Sequence, residues 1–299
     1  MFHRPQAVVV ALSDGLGNQL FQYATARAIS LRADLPLYLD LQNFEQGDGF
    51  RRYMLGAFRV VENFADERMR GTFLGPRSSA RARWWPMRLL DRLRPPHRRL
   101  CHWQYEWRFY PELLEVRCGC YLRGYWQSER YFADVADVLR SELTPRSEPQ
   151  GSAAQLARQI AACANSAALH VRRGDYLAAH TAGIHGVCGV DYYRAAVEHV
   201  RRTAGEVRWW IFSDDAQWVR SERFLASLGQ VVEGDVREPL ADFEAMRRCR
   251  HFVIANSTFS WWAAWLGEKK DSVIVAPRRW FLDGSRDSGD IVPPRWRCL

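Results

Sequence analysis

Between residues 153 and 276 short apolar runs alternate with helix-patterned stretches, and this alternation constrains the fold more than any other feature of the chain. The pattern predicts helix 153–163 with strand 166–171, helix 191–203 with strand 207–212, and helix 215–227 with strand 230–232. Helix 239–248 with strand 251–255 and helix 257–266 with strand 272–276 complete it. Apolar strands separated by helices pair in parallel, because each crossover returns the chain to the same end of the sheet. The expected class is α/β, with a doubly wound parallel sheet in the C-terminal half.

The N-terminal half opens the same way. Ala7–Leu12 reads as a buried strand, Asp14-Gly15-Leu16-Gly17 as a turn, and 18–32 as a helix with Leu20, Phe21, Ala24, Ala28 and Leu31 near helical spacing. Strands are expected at 36–39 and 121–125, and a Ser-capped helix at 128–143. The Pro/Ser/Gly-rich run 144–152 reads as a linker. The expectation is two Rossmann-like α/β domains facing a cleft, 1–150 and 151–299, in a chain of 299 residues.

Charge narrows the partner. The net charge is +8, and 40 of the 42 basic Lys and Arg residues are arginine, since Lys269 and Lys270 are the only lysines. The guanidinium fork suits phosphate and carboxylate, which points to a phosphate-bearing partner, whereas a GC-rich coding bias gives the same composition with no partner at all. Six apolar residues near the N-terminus fall short of a secretory leader, and no run approaches a spanning helix. The expected location is cytoplasmic, or peripheral on the inner face of the cell membrane. Seven cysteines without CxxC or Cys/His spacing imply free thiols, no disulfide frame and no zinc site.

Four stretches carry the candidate chemistry, each just past the carboxyl end of an expected strand, where α/β sheets hold ligands. Gly15-Leu-Gly-Asn-Gln19 offers main-chain N–H groups to a phosphate, or is simply a tight turn. In His170-Val-Arg-Arg-Gly-Asp-Tyr176, strand alternation turns His170 and Arg172 to one face and Arg173 to the other. Arg172 there either pairs with Asp175 or grips a diphosphate. Phe212-Ser213-Asp214-Asp215 presents acids to a ribose, base or Mg²⁺, or caps the next helix. Asn256-Ser257-Thr258-Phe259-Ser260-Trp261-Trp262 supplies a hydroxyl-rich helix start whose Trp pair reads as packing. Asp242 opens a neighbouring helix toward the same crevice.

These motifs resemble glycosyltransferase family 11, the α-1,2-fucosyltransferases. The resemblance rests on Gly15-Leu-Gly-Asn-Gln-Leu-Phe-Gln-Tyr-Ala24, Gly124-Tyr-Trp-Gln-Ser-Glu-Arg-Tyr-Phe132, His170-Val-Arg-Arg-Gly-Asp-Tyr176, Asp191-Tyr-Tyr193, Asp242-Phe-Glu-Ala-Met and Ile254-Ala-Asn-Ser-Thr-Phe-Ser-Trp-Trp-Ala-Ala-Trp-Leu266. They fall in family order along nearly the whole chain. Asp14 departs from the pattern, which usually has a further glycine there. The resemblance implies a GT-B-like fold, GDP-β-L-fucose as donor, inversion at the anomeric carbon, the 2-hydroxyl of a terminal galactoside as acceptor, and no metal or other cofactor. It implies that Arg172 holds the β-phosphate and, with Asn18, is catalytic. It implies donor contacts at Gly15, Gly17, Gln19, His170, Arg173, Asp175, Ser213, Asp214, Asp215, Asp242, Asn256, Ser257, Thr258, Phe259 and Ser260.

The base that takes the acceptor proton stays open among Asp14, Asp175, His185 and a donor phosphate oxygen. Fucosyl transfer of another linkage, or transfer of a related GDP-6-deoxysugar, stands as the alternative enzyme reading. A nucleic-acid-binding or glycan-binding protein without catalysis is the other class; nucleic acid is not the expected partner. Arginines and tryptophans interleave over 81–108, which suits an anionic bilayer face and a lipid-linked acceptor, or else a solvated basic surface.

Overall fold

The computed structural model describes residues 5–45, 51–75, 91, 93–177, 183–234, 239–282 and 286–299. The chain divides into two compact units, Met1–Arg146 and Ser147–Leu299.

In the first unit β1 (Val8–Ala11) leads into α1 (Leu16–Ala33), β2 (Leu37–Asp40), α2 (Gln42–Glu45), α3 (Glu67–Leu74), β3 (Cys101–Trp103), β4 (Cys120–Arg123) and α4 (Ala136–Glu142). The sheet order is β2-β1-β4-β3, with every pair parallel. All four β1 residues are buried, as a strand covered on both faces requires. The chain first winds from β1 to β2, then crosses to the far edge as β3 and comes back to β4, on the other side of β1. The switch point therefore lies between the carboxyl ends of β1 and β4.

The second unit runs α5 (Gly151–Ala161), β5 (Ser166–Val171), α6 (Val190–Ala204), β6 (Arg208–Ser213), α7 (Ala216–Ser221), α8 (Arg223–Leu228), β7 (Gln230–Val231), α9 (Leu240–Met246), β8 (His251–Val253), α10 (Thr258–Gly267), β9 (Ile274–Ala276) and β10 (Arg297–Cys298). Its parallel sheet has the order β10-β9-β8-β5-β6-β7. This is the doubly wound arrangement expected, with the switch between β5 and β8. The wholly buried β5 sits at its centre.

α10 is apolar on nearly every side and buries Trp261, Trp262 and Trp265. Trp261 meets Trp262 at 5.1 Å and Trp296 at 5.3 Å, and its indole N–H donates to the Ile291 carbonyl at 2.8 Å. The Trp pair is therefore core, as its sequence setting implied.

Several expected boundaries shift for identifiable reasons. The helix expected over 128–143 is regular only from Ala136. Before it come two 3-10 turns, Glu129–Tyr131 and Ala133–Val135, where burial of Tyr131 and Phe132 overrides helical spacing. The helix expected over 215–227 breaks at Glu222, whose backbone is extended, giving α7 and α8. The stretch expected as a linker begins inside the first unit, because Arg146 donates its N–H to Ala57 O at 2.8 Å and its Nε–H to Phe58 O at 2.6 Å. All seven cysteines are free.

The C-terminal end of α10 abuts residue 247 without clearance. A Cβ on Gly267 would lie 2.3 Å from the Arg247 carbonyl oxygen and 2.7 Å from Phe252 Cζ. Gly267→Ala is expected to cost about 1–3 kcal/mol, seen as a lower denaturation midpoint with an unchanged slope. An unchanged midpoint would refute this packing.

Candidate donor-binding site in the second unit

β5 ends at Val171, and the next residues enter the crevice at the switch point. The Arg172 guanidinium is fixed from two directions: Nη2–H donates to Asp175 Oδ1 at 2.7 Å, and Nε lies 3.2 Å from Asp214 Oδ2. The ring of Tyr176 sits 5.5 Å from its central carbon. Burial pulls the Arg172 pKa down, but the Asp214 and Asp175 charges outweigh it, so the net shift is upward and the cation is secure. Both readings of Arg172 are thus compatible. The Asp175 pair exists, and Nη1 meets no protein acceptor among the described residues, leaving the end of the fork for an external anion.

Asp214 is the pivot of this arrangement. Its Oδ1 accepts the Arg173 main-chain N–H at 2.9 Å while Oδ2 faces Arg172. A Cβ on Gly174 would lie 2.7 Å from Asp214 Oδ2, so glycine is what lets the turn approach the carboxylate. The capping role falls to its neighbour. Asp215 Oδ1 accepts from Trp218 N at 3.0 Å at the start of α7, and Ser213 Oγ accepts from Asp215 N at 2.9 Å.

Across the switch point, α10 starts at Thr258 with no side chain capping it from Ser257. Its first-turn N–H groups, on Thr258, Phe259 and Ser260, and the positive end of its dipole are the features by which a helix start can receive an anion. His170 lies behind, wholly buried, with its ring 5.8 Å from Phe259 and Nδ1 without a partner. Phe243 of α9 packs edge-on to Phe259 at 5.3 Å, which sets α9 and its Asp242 beside α10. Gly234 allows that placement, since a Cβ there would fall 1.8 Å from Asp242 Oδ2.

Several residues expected at the donor already have partners within the chain. Arg173, which strand alternation sets opposite Arg172, is one of them. Its Nε–H reaches Asp215 at 3.3 Å, and its guanidinium covers the Trp218 ring at 3.9 Å. Asn256 is spent internally. Its amide donates toward the carbonyls of His185, Gly186 and Trp280 at 2.9, 3.3 and 3.1 Å, stitching the 183–186 loop to the end of β8. Ser260 Oγ donates back to the Ser257 carbonyl at 3.2 Å, leaving its main-chain N–H as the group able to meet a ligand. In the first unit Gln19 is likewise consumed, donating to Asp14 O and Arg52 O at 2.8 and 2.9 Å and accepting from Met54 N at 2.9 Å.

The base candidates and the glycine turn have these settings. His185 stacks on Tyr176 at 4.6 Å, and burial, with the Arg286 charge second, lowers its pKa. Asp14 adopts a left-handed backbone with φ 62°. Asn18 Oδ1 accepts from Gln127 Nε2 at 2.9 Å, and Gly15 starts α1 without a side-chain cap, one residue before Leu16 and two before Gly17. Tyr176 closes the 170–176 motif. Its hydroxyl donates to Asn256 O at 3.0 Å, a link between distant segments with no local sequence signal.

Among the described residues no group of three or more His, Cys, Asp or Glu side chains converges as a metal would need, and no helix is long and apolar enough to cross a membrane. Of the basic and aromatic stretch 81–108, residues 81–90 and 92 lie outside the described residues.

The profile of "Glycosyl transferase family 11" matches residues 110–299. The α-1,2-colitosyltransferase of Escherichia coli is 31% identical over 301 residues, covering 97% of this chain and 97% of that protein. The O-antigen biosynthesis glycosyltransferase WbnK of Escherichia coli is 32% identical over 304 residues, covering 92% of this chain and 95% of that protein. The crystal structure of fucosyltransferase NodZ from Bradyrhizobium superposes with a TM-score of 0.52 at 18% identity, covering 87% of this chain and 93% of that one. NodZ soaked with GDP-fucose gives a TM-score of 0.53, again at 18% identity, over 87% of this chain and 92% of that one. These structural matches establish a GT-B-like fold.

The buried imidazole makes a test of the site's electrostatics. Burial, with the Arg172 charge second, pushes His170 down to about 3, and burial pushes His102 down to about 4. The unfolded chain therefore takes up these protons first, and stability falls as pH drops from about 6.5 toward those values. His170→Asn is expected to flatten that decline in equilibrium unfolding between pH 7 and 4. An equally steep decline in the variant would contradict the neutral buried imidazole.

Proposed function

This chain belongs to glycosyltransferase family 11, and on that premise we propose that it transfers L-fucose from GDP-β-L-fucose to the 2-hydroxyl of a terminal galactoside. The observation that carries this reading is the open end of the Arg172 fork at the β5/β8 switch point, beside the uncapped start of α10. Together they suit a diphosphate. The acceptor oxygen attacks the anomeric carbon from the face opposite the leaving group, so configuration inverts, and its proton passes to Asp14, Asp175, His185 or a phosphate oxygen of the donor. As the bond from that carbon to the β-phosphate oxygen breaks, negative charge grows on GDP. Arg172 and the N–H groups of Thr258, Phe259 and Ser260 answer that charge without a divalent metal. Asp242, on the α9 face beside α10, is assigned to the guanine.

The name of the 31% identical Escherichia coli relative supports a second donor reading, a GDP-linked colitose. Parallel assays with GDP-fucose and GDP-colitose on one galactoside panel decide between them. The proposal predicts turnover of GDP-fucose and an α-1,2 linkage by NMR of the product. Turnover of GDP-colitose alone would replace the donor, and any other linkage would replace the acceptor position.

Arg172→Lys keeps the charge but loses the planar fork. It is expected to lower kcat/KM for GDP-fucose by about 10²–10³. Turnover near wild type would remove Arg172 from the reaction.

A further inference from the structure

The side chain of Gln127 has one end that the fold leaves unsatisfied. Its Nε2–H donates to Asn18 Oδ1 at 2.9 Å, while its Oε1 is buried and meets no donor among the described residues. A buried polar atom left unpaired costs about 1–3 kcal/mol, so an apolar side chain of the same length would serve the fold as well or better. The bond to Asn18 is the polar contact that accounts for glutamine at this position.

The chain around Gln127 is fixed from several sides. Trp126 adopts a left-handed backbone with φ 53°, a conformation that costs a non-glycine residue about 1–2 kcal/mol. Its buried ring meets Tyr110 and Tyr131 edge-on at 6.2 and 5.9 Å. Its N–H donates to Gln104 Oε1 at 2.9 Å, and its carbonyl accepts from Ser128 N at 2.8 Å. Gln22 Nε2 donates to the Gly124 carbonyl at 3.2 Å, which ties the same loop to α1, the helix that carries Asn18. Both partners of the Gln127–Asn18 bond therefore stand on held backbone.

The direction of that bond sets the polarity of Asn18. With Oδ1 engaged, the Nδ2–H₂ group is the end turned out of the pair, and it has no acceptor among the described residues. Asn18 lies in the first turn of α1, which Gly15 starts without a side-chain cap. There the outward amide hydrogens and the positive end of the helix dipole carry the same sign, and both suit an anionic oxygen. Asn18 turned the other way would offer its own carbonyl oxygen and repel that anion.

We propose that Gln127 is a positioning residue. It locks the Asn18 amide with Nδ2–H₂ outward and so makes Asn18 a hydrogen-bond donor to an anionic oxygen of the substrate. In the transferase reading, on which this purpose rests, that oxygen belongs to the donor's phosphate. The lock itself does not rest on transfer.

The test uses the full chain. Gln127→Met keeps the length of the side chain and removes both polar ends. Its melting temperature should hold or rise, while kcat falls about tenfold and the GDP-fucose KM shifts less than about twofold. Gln127→Glu separates the lock from packing. Its carboxylate cannot donate and draws the Asn18 Nδ2–H₂ inward, whereas the protonated acid donates to Asn18 Oδ1 and restores the wild-type polarity. Burial raises the pKa of such a carboxyl, so the ratio of Gln127→Glu to wild-type kcat should rise at least about fivefold between about pH 8 and about pH 5.5. NMR of the chain carrying isotope-labelled asparagine follows the Asn18 side-chain amide, assigned by its loss in Asn18→Asp. That signal should move with pH in Gln127→Glu and stay in place in wild type.

Wild-type turnover by Gln127→Met would overturn the proposal. A fall in its melting temperature with no pH dependence in the Gln127→Glu ratio would assign Gln127 to the fold instead. A ratio that drops toward low pH would reverse the polarity assigned to Asn18, and an amide signal indifferent to pH in Gln127→Glu would remove the lock. An amide signal that follows the titration, in a chain that transfers from neither GDP-fucose nor GDP-colitose, would uphold the lock and defeat the transferase reading.

Discussion

Everything proposed for the second unit depends on one part-buried charge arrangement, the Arg172 guanidinium held between Asp175 and Asp214. Withdrawing a cation and two anions even partly from water has a cost, and such groups persist where geometry repays the desolvation. Here the repayment is orientation. Asp214 ties Arg172 to the Arg173 backbone, and through that bond joins the end of β5 to the end of β6. The two carboxylates lower the local positive potential, so the site gains little long-range attraction for an anion. What they provide is a fork that needs no reordering when a diphosphate arrives.

The same logic of strand order builds both units. In each sheet the chain winds outward on one side of a central strand and returns on the other. The main-chain ends at the reversal diverge and leave room. The two switch points differ in chemistry. That of the second unit is cationic, with a guanidinium and a helix start. That of the first is lined by Trp103, Trp107 and Tyr125. The forty arginines that dominate the composition are mostly used elsewhere. Arg27 pairs with Glu142, Arg32 with Asp134, Arg146 with Glu62 and Arg295 with Glu268, so the excess charge is not concentrated in one ligand.

What was legible in the sequence follows from burial. β5, β6 and β8 are covered on both faces and appear as apolar runs, and the helices between them carry the crossover signal. β3 and β10 were invisible because Cys101–Trp103 and Arg297–Cys298 are short edge strands with no apolar run. Motif position brought out Arg172, Asp214 and the start of α10 as candidates. It could not separate residues that face the crevice from those that hold it. Arg173, Asn256, Gln19 and Ser260 sit inside motifs, yet their side chains serve Asp215 and Trp218, loop carbonyls or their own helix. That sorting depends on partners far along the chain. The grouping of Trp103 and Trp107 with Tyr125 escaped for the same reason, since it follows from the pairing of β3 with β4.

We propose that the second unit recognises a diphosphate through the preoriented Arg172 fork. Calorimetric titration of the full chain with GDP and with GMP addresses it directly, because the two ligands differ by the β-phosphate alone. GDP is expected to bind at least about tenfold more tightly, a difference of about 1.4 kcal/mol or more, and Arg172→Lys to remove most of it. Equal affinities for GDP and GMP in the wild-type chain would contradict it.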